Sequence, residues 1–379
     1  MKAGKLFLLI AAFIQLLSCK EPFEPEVRNG SGPYLVVEGV ISTSGPTTIR
    51  LSETSGISDG NAIRHLTGAA VVVEDENNIT IPLNDENNGS YTAPRLDLVT
   101  GQRYRLRIRT QGGKEYASDF STARANPDID SVHWKREAEG VTVYVNTHDP
   151  ANNTWYYMWD YEETWETHSY GYSSVLTPTG TGPAVFRPTA EAEAMFRCWK
   201  SANSTNILIS STAKLSSDIV SDFPLVHIPN NAEKLGHRYS ILVRQYALTR
   251  EGFEYLQRMK KNSEQMGSVF DPQPSEATGN LRCISDPEEP VIGYITVSPV
   301  YERRIFIDRT DVPGWNFQLP CSMGFAYNTR DSIRAVFEGG ANIPADAVWE
   351  NGRTTGYFYS TNQCMDCRIT GSSVKPDFW

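Results

Sequence analysis

Hydrophobic residues recurring at every second position, in short runs bounded by Gly, Asn, Asp and Pro, constrain this chain more than any other feature. "YLVVEGVI", "TTIRLSE", "AAVVVEDE", "ITIPLND", "GSYTAP" and "QRYRLRIRT" follow one another within residues 34–110. A period of two buries one face of a pleated strand and wets the other, and the turn residues between runs close hairpins. The fold expected is therefore mainly β, built from consecutive β-sandwiches, with helices as the exception.

Residues 27–125 are expected to form the first β-sandwich. There "GAAVVVEDENN", "NNGSYTAP" and "LVTGQRYRLRIRTQGGKEYAS" resemble a transthyretin-like or macroglobulin-like domain, with Gly89 and Tyr91 closing one turn and Gly101 and Tyr104 opening the next strand. "ARANPDIDS", with Pro127, marks the boundary. Over residues 126–310, "IDSVHWKRE", "GVTVYVNTHDP", "TWYYMWDYEETWE", "NILISST", "HRYSILVRQYALT" and "VIGYITVSPVYERRIFIDR" resemble the strands of a fibronectin type III or immunoglobulin-like sandwich. Tyr239, Ile241 and Val243 would point inward, Tyr239 at the place of a tyrosine corner. One helix at about 249–266 interrupts this domain: Thr249 is its N-cap, Phe253, Leu256, Met259 and Met266 fall near one face, and Gly267 ends it. It is expected to cover the open end of the sandwich or to dock a partner. Residues 311–379 form a C-terminal Cys-containing segment packed on the second domain.

The N-terminus carries Lys2 and Lys5, an apolar run from Leu6 to Leu17, and then Leu16-Leu17-Ser18-Cys19, which is the layout of a secretory signal. The run is shorter than the ~20 apolar residues that span a bilayer. The tetrad resembles a bacterial lipobox, which implies that residues 1–18 are a signal peptide and that Cys19 is the lipidation site. Several acyl chains on one residue hold a protein stably at a membrane, whereas one holds marginally. Residues 19–26, with Glu21, Glu24 and Glu26 among Pro22 and Pro25, read as an acidic tether that resembles the surface-export signal of Bacteroidota lipoproteins. Losing residues 1–18 takes the formal charge from −10 to −12. Such a chain lacks the basic surface that nucleic-acid binding requires.

With Cys19 acylated, five cysteines remain: Cys198, Cys283, Cys321, Cys364 and Cys367. In an oxidising compartment they are disulfide candidates. Cys198 is expected to pair with Cys283, and Cys321 to compete for Cys364 or Cys367, leaving one thiol free. Cys364-Met365-Asp366-Cys367 lacks the second Cys-x-x-C of a zinc site. No nucleophile elbow, H-E-x-x-H, P-loop or dinucleotide fingerprint occurs, so no catalytic residue, cofactor or metal is expected.

Three surfaces could contact a ligand or partner. Arg103, Arg105, Arg107 and Arg109 alternate with Tyr104, Leu106 and Ile108, giving four guanidinium groups on one face for a phosphate or acidic sugar, or a solvated face balanced by Glu74 and Glu76. Trp155, Tyr157, Trp159 and Tyr161 share one side of a strand, either as a glycan platform through Trp155 and Trp159 or as core. Phe378 and Trp379 end the chain, either pinned to the second sandwich or offered to a partner.

Taken together, "RCW", "HRYSILVRQYALTREGFEYLQRMKKNSEQMGSVFDPQPSEATGNLRC", "VIGYITVS" and "CMDCRITGSSVKPDFW" behind a lipobox resemble the Bacteroidota envelope lipoproteins called domain of unknown function 4249, over residues 19–379. That resemblance implies neighbourhood with TonB-dependent outer-membrane transporters and supplies no chemistry. The function expected is a non-catalytic, lipid-anchored outer-membrane protein at the cell surface, an accessory or binding subunit of such a transporter. A glycan-binding lipoprotein and an envelope enzyme are the alternatives.

Overall fold

Alternation in the sequence becomes alternation in burial. Strand Leu35–Ser42 buries Leu35, Val37 and Ile41 while Glu38 turns outward, and Arg103–Arg109 buries Tyr104, Leu106 and Ile108. The computed structural model describes residues 33–55, 63–264 and 279–379. The signal segment, Cys19, the acidic tether, Met266 and Gly267 lie outside them. Within them the chain is mainly β, with four helices: α1 (Thr189–Phe196), α2 (Arg250–Glu264), α3 (Arg330–Phe337) and α4 (Asn362–Met365).

The first sandwich packs a seven-stranded sheet on a six-stranded one. Its core holds Val37, Ile49, Leu51, Tyr91, Leu106 and Ile108. The chain returns to it late: Leu281–Cys283 joins one sheet beside Glu115–Ser118, while Val291–Gly293 and Thr296–Ser298 pair in parallel with Leu35–Ser42. Thus "VIGYITVSPVYERRIFIDR", expected in the second sandwich, is shared between the two. Gly293, at φ 151°, breaks the run, since a Cβ there would lie 2.3 Å from the Val37 carbonyl oxygen. Ile295 and Val297 then fill the first core, and only Tyr301–Asp308 enters the second.

In the second sandwich a three-stranded sheet (Ile129–Arg136, Gly140–His148, Ile219–Pro229) faces a five-stranded sheet centred on Tyr156–His168 and Arg238–Ala247. Tyr239, Ile241 and Val243 are fully buried between them. Tyr239 differs from a tyrosine corner in its partner: its hydroxyl donates to Glu163 Oε1 at 2.8 Å, and Lys234 Nζ donates to Glu163 Oε2 at 2.5 Å. Burying a carboxylate is costly unless partners of this kind satisfy its oxygens.

The C-terminal segment makes its own small sheet, in which Arg353–Thr361 lies between Gly324–Tyr327 and Asn342–Glu350. Helix α3 packs Ile333 and Phe337 on one face against Ala326, Ala347 and Tyr357. The Thr329 hydroxyl caps α3 by accepting from the Ser332 amide. Residues 173–175 run along the outer edge of Asn342–Glu350, where the Ser174 amide donates to the Ala345 carbonyl at 2.7 Å.

Candidate functional site

Disulfides decide how this module is held: Cys321 takes Cys364, one of its two expected partners, whereas Cys198 differs from expectation. Cys198 pairs with Cys367 and Cys321 with Cys364, while Cys283 is a buried free thiol. The expected Cys198–Cys283 bridge fails because the two residues belong to different sandwiches: Cys198 lies in strand Arg197–Asn203 of the second, Cys283 beside Tyr116 in the first. The first bridge ties the end of the chain to the second sandwich, and the second closes the module on itself.

Each arginine of the strand already has a carboxylate partner. Arg105 Nε meets Glu74 Oε2 at 2.5 Å, Arg107 Nη1 meets Glu74 Oε1 at 3.3 Å, Arg103 pairs with Glu76 at 2.9 Å and Arg109 with Glu115 at 3.7 Å. Register accounts for this, because Glu74 lies directly opposite Arg105. The proposed sugar platform also dissolves. Trp159 is 1% exposed and stacks on Phe223 inside the sandwich, its indole N–H donating to Gln245 Oε1 at 2.9 Å. Trp155 precedes the strand in a left-handed conformation at φ 59°, half-buried. Trp379 lies against Trp199 and Phe306, and Phe378 under the Arg304 guanidinium at 3.5 Å, so the tail docks on the second sandwich.

Two features were not legible as sites in the sequence. The first is a cleft of about 1110 Å3 between the sandwiches. One wall is the outer face of the first sandwich, where Glu38 lies opposite Arg50. The other is the outer face of the second, where Asp160, Arg244 and Glu302 sit in register across three strands. Arg244 donates to Asp160 at 3.1 Å, to Glu162 at 3.3 Å and to Glu302 at 3.0 Å. Burial opposes its charge, yet the Asp160 and Glu302 carboxylates win and hold its pKa above the ordinary value. Burial and Asp160 likewise push the Tyr246 hydroxyl up, and that hydroxyl donates to Asp160 at 2.7 Å. Helix α2 forms the third side with Tyr255, Leu256 and Met259. It is a wall of the cleft, held by Phe253 on Tyr156 at 5.2 Å and by Tyr255 on Tyr294 at 5.7 Å.

The second is an aromatic face on the C-terminal sheet. Phe325, Tyr327 and Phe358 are 40%, 66% and 45% exposed, with ring centroids 5.1 Å apart for Phe325–Tyr327 and 5.4 Å for Phe325–Phe358. Gly356 makes room for it, because a Cβ there would lie 2.3 Å from the Phe325 ring.

His168 and His237, distant in sequence, lie ring against ring with centroids 3.7 Å apart and planes tilted by 33°. Burial, and then the neighbouring His168, lowers the His237 pKa to about 4. The hydrogen bond with His168, 2.6 Å long, holds the Glu166 carboxyl below its usual range. Among the described residues no three His, Cys, Asp or Glu side chains are grouped to hold a metal ion, and no helix is long and apolar enough to cross a membrane.

These features define a class: a mainly β protein whose two sandwiches frame a cleft and whose C-terminal sheet is stapled on by disulfides. Residues 20–304 match the family model described as domain of unknown function (DUF4249), and the chain belongs to that family. The match ends before the stapled module begins. No curated protein matches the chain.

Proposed function

We propose that this protein works by contact and not by turnover, as a lipid-anchored accessory subunit of a TonB-dependent outer-membrane transporter at the cell surface. The observation that carries the reading is the exposed aromatic face of Phe325, Tyr327 and Phe358 on a module held by two disulfides. Exposed apolar patches on otherwise well-packed proteins mark protein–protein contacts, and aromatic anchors dominate their energetics. Rigid stapling reduces the ordering cost that such a contact would otherwise incur. The lipobox-like tetrad ending at Cys19 supports a membrane address, and the resemblance to envelope lipoproteins beside such transporters supports the partner.

The test is a mild-detergent purification of the anchored protein with and without Phe325→Ser and Phe358→Ser together. An outer-membrane barrel of the TonB-dependent class should accompany the wild type and fall by about tenfold with the variant, at unchanged melting temperature. Absence of any such barrel, or equal recovery with the variant, contradicts the proposal.

A further inference from the structure

We propose that the cleft between the sandwiches is a binding site for an extended basic peptide segment. This is independent of the partner contact on the C-terminal sheet. Its volume, about 1110 Å3, lies above the ~300–1,000 Å3 of drug-sized sites, which favours an elongated ligand. Its walls carry four carboxylates (Glu38, Asp160, Glu162, Glu302) and two guanidinium groups (Arg50, Arg244). The excess of two negative charges belongs to the wall of the second sandwich, where Asp160, Glu162 and Glu302 surround Arg244, while Glu38 on the facing wall lies opposite Arg50. Arg244 is already committed to Asp160, Glu162 and Glu302, so it holds these acids in place and is not free to attract an anion.

An independent observation points to a ligand. Thr296, 4% exposed, lines this cleft, and its hydroxyl has no hydrogen-bond partner among the described residues. A buried hydroxyl without a partner is costly, and a peptide backbone supplies both the donor and the acceptor it lacks. Tyr294 and Tyr301, both half-buried, add ring faces for the stems and cations of lysine or arginine side chains. The combination of excess carboxylate, tyrosine faces and an unsatisfied hydroxyl suits a basic peptide better than a neutral sugar, which would leave the excess charge uncompensated.

Fluorescence anisotropy of the full-length protein tests this with three probes: a fluorescein-labelled octapeptide of alternating lysine and valine, its glutamate–valine counterpart, and unlabelled maltoheptaose as competitor. The lysine peptide should bind saturably, and Glu38→Gln with Glu302→Gln should weaken it about tenfold in low salt. Glu350→Gln, outside the cleft, should leave binding unchanged. Thr296→Val should weaken binding several-fold while the melting temperature holds or rises, since the unsatisfied hydroxyl is gone from the free protein. A purely structural Thr296 would change stability alone. Equal affinity for the glutamate peptide, displacement by maltoheptaose, or binding indifferent to the cleft variants overturns the proposal.

Discussion

Replacing Cys198 and Cys367 together by Ala should loosen the C-terminal module while leaving both sandwiches intact. The bridge spans 169 residues, and in the chain-entropy account a loop of that length stabilises by about 5 kcal/mol. The nested Cys321–Cys364 bridge, spanning 43 residues, shortens the effective loop and reduces the figure by only a few tenths of a kcal/mol, because the dependence is logarithmic. Against this stands a small core: Val175, Ala326, Ile333, Phe337, Ala347 and Tyr357. A core of that size rarely supplies more than about 3–5 kcal/mol, so losing one staple consumes most of the module's margin. Native-state hydrogen exchange is the assay. Amides of Arg330–Phe337 and Arg353–Thr361 should exchange two to four orders of magnitude faster, about 1.4 kcal/mol per decade, while those of Leu35–Ser42 and Tyr156–His168 hold their protection. Unchanged exchange in the module, or loss spread evenly over all three bodies, refutes the reasoning.

Further outcomes follow from the same geometry. Peptide mapping without reduction should recover Cys198 linked to Cys367 and Cys321 to Cys364, with Cys283 alkylated only after unfolding; a linked Cys283 would contradict the two-body assignment. Stability should fall as pH drops from about 6.5 towards 4, because the unfolded His237 binds a proton through this window and the folded one does not; allowing for solvent screening the loss is about 1–2 kcal/mol, and His237→Gln should flatten the dependence in a denaturant titration. Deleting residues 376–379 should cost about 1–3 kcal/mol in the same titration through loss of Trp379 on Trp199 and Phe306, and an unchanged midpoint would place the tail's role elsewhere. Cys19→Ala should abolish acyl labelling and membrane recovery; wild-type protein found soluble and beginning at another residue would contradict lipidation.

Local physics was legible in the sequence and pairing at a distance was not. The period-two runs at 35–41 and 103–109 specify which side chains are inside, because alternation and burial are the same constraint in a half-buried sheet. Thr249 was readable as a cap, since its hydroxyl accepts from the Gly252 amide three residues on. What escaped were associations that no local pattern encodes: the return of 281–298 to the first sandwich, the meeting of His168 with His237, and the choice among five thiols. The cleft escaped for the same reason, being made of outward faces of two bodies. One missed element did carry a signal. "AVWENGRTT" places Asn-Gly between alternating runs, and Asn351 at φ 51° with Gly352 at φ 75° closes the hairpin between Asn342–Glu350 and Arg353–Thr361. The arginine face and the Trp155–Trp159 platform show the converse, since a pattern compatible with binding was met from within by Glu74 and by the sandwich core.

The central claim, that the aromatic face of the stapled module meets an outer-membrane transporter, is tested most directly by placing the photo-cross-linker p-benzoylphenylalanine at Phe358 in intact cells, with an equivalent substitution at exposed Ile79 on the first sandwich as reference. Irradiation should join the protein to a TonB-dependent barrel from position 358 and not from position 79. No cross-link from 358, or the same products from both positions, would contradict the account.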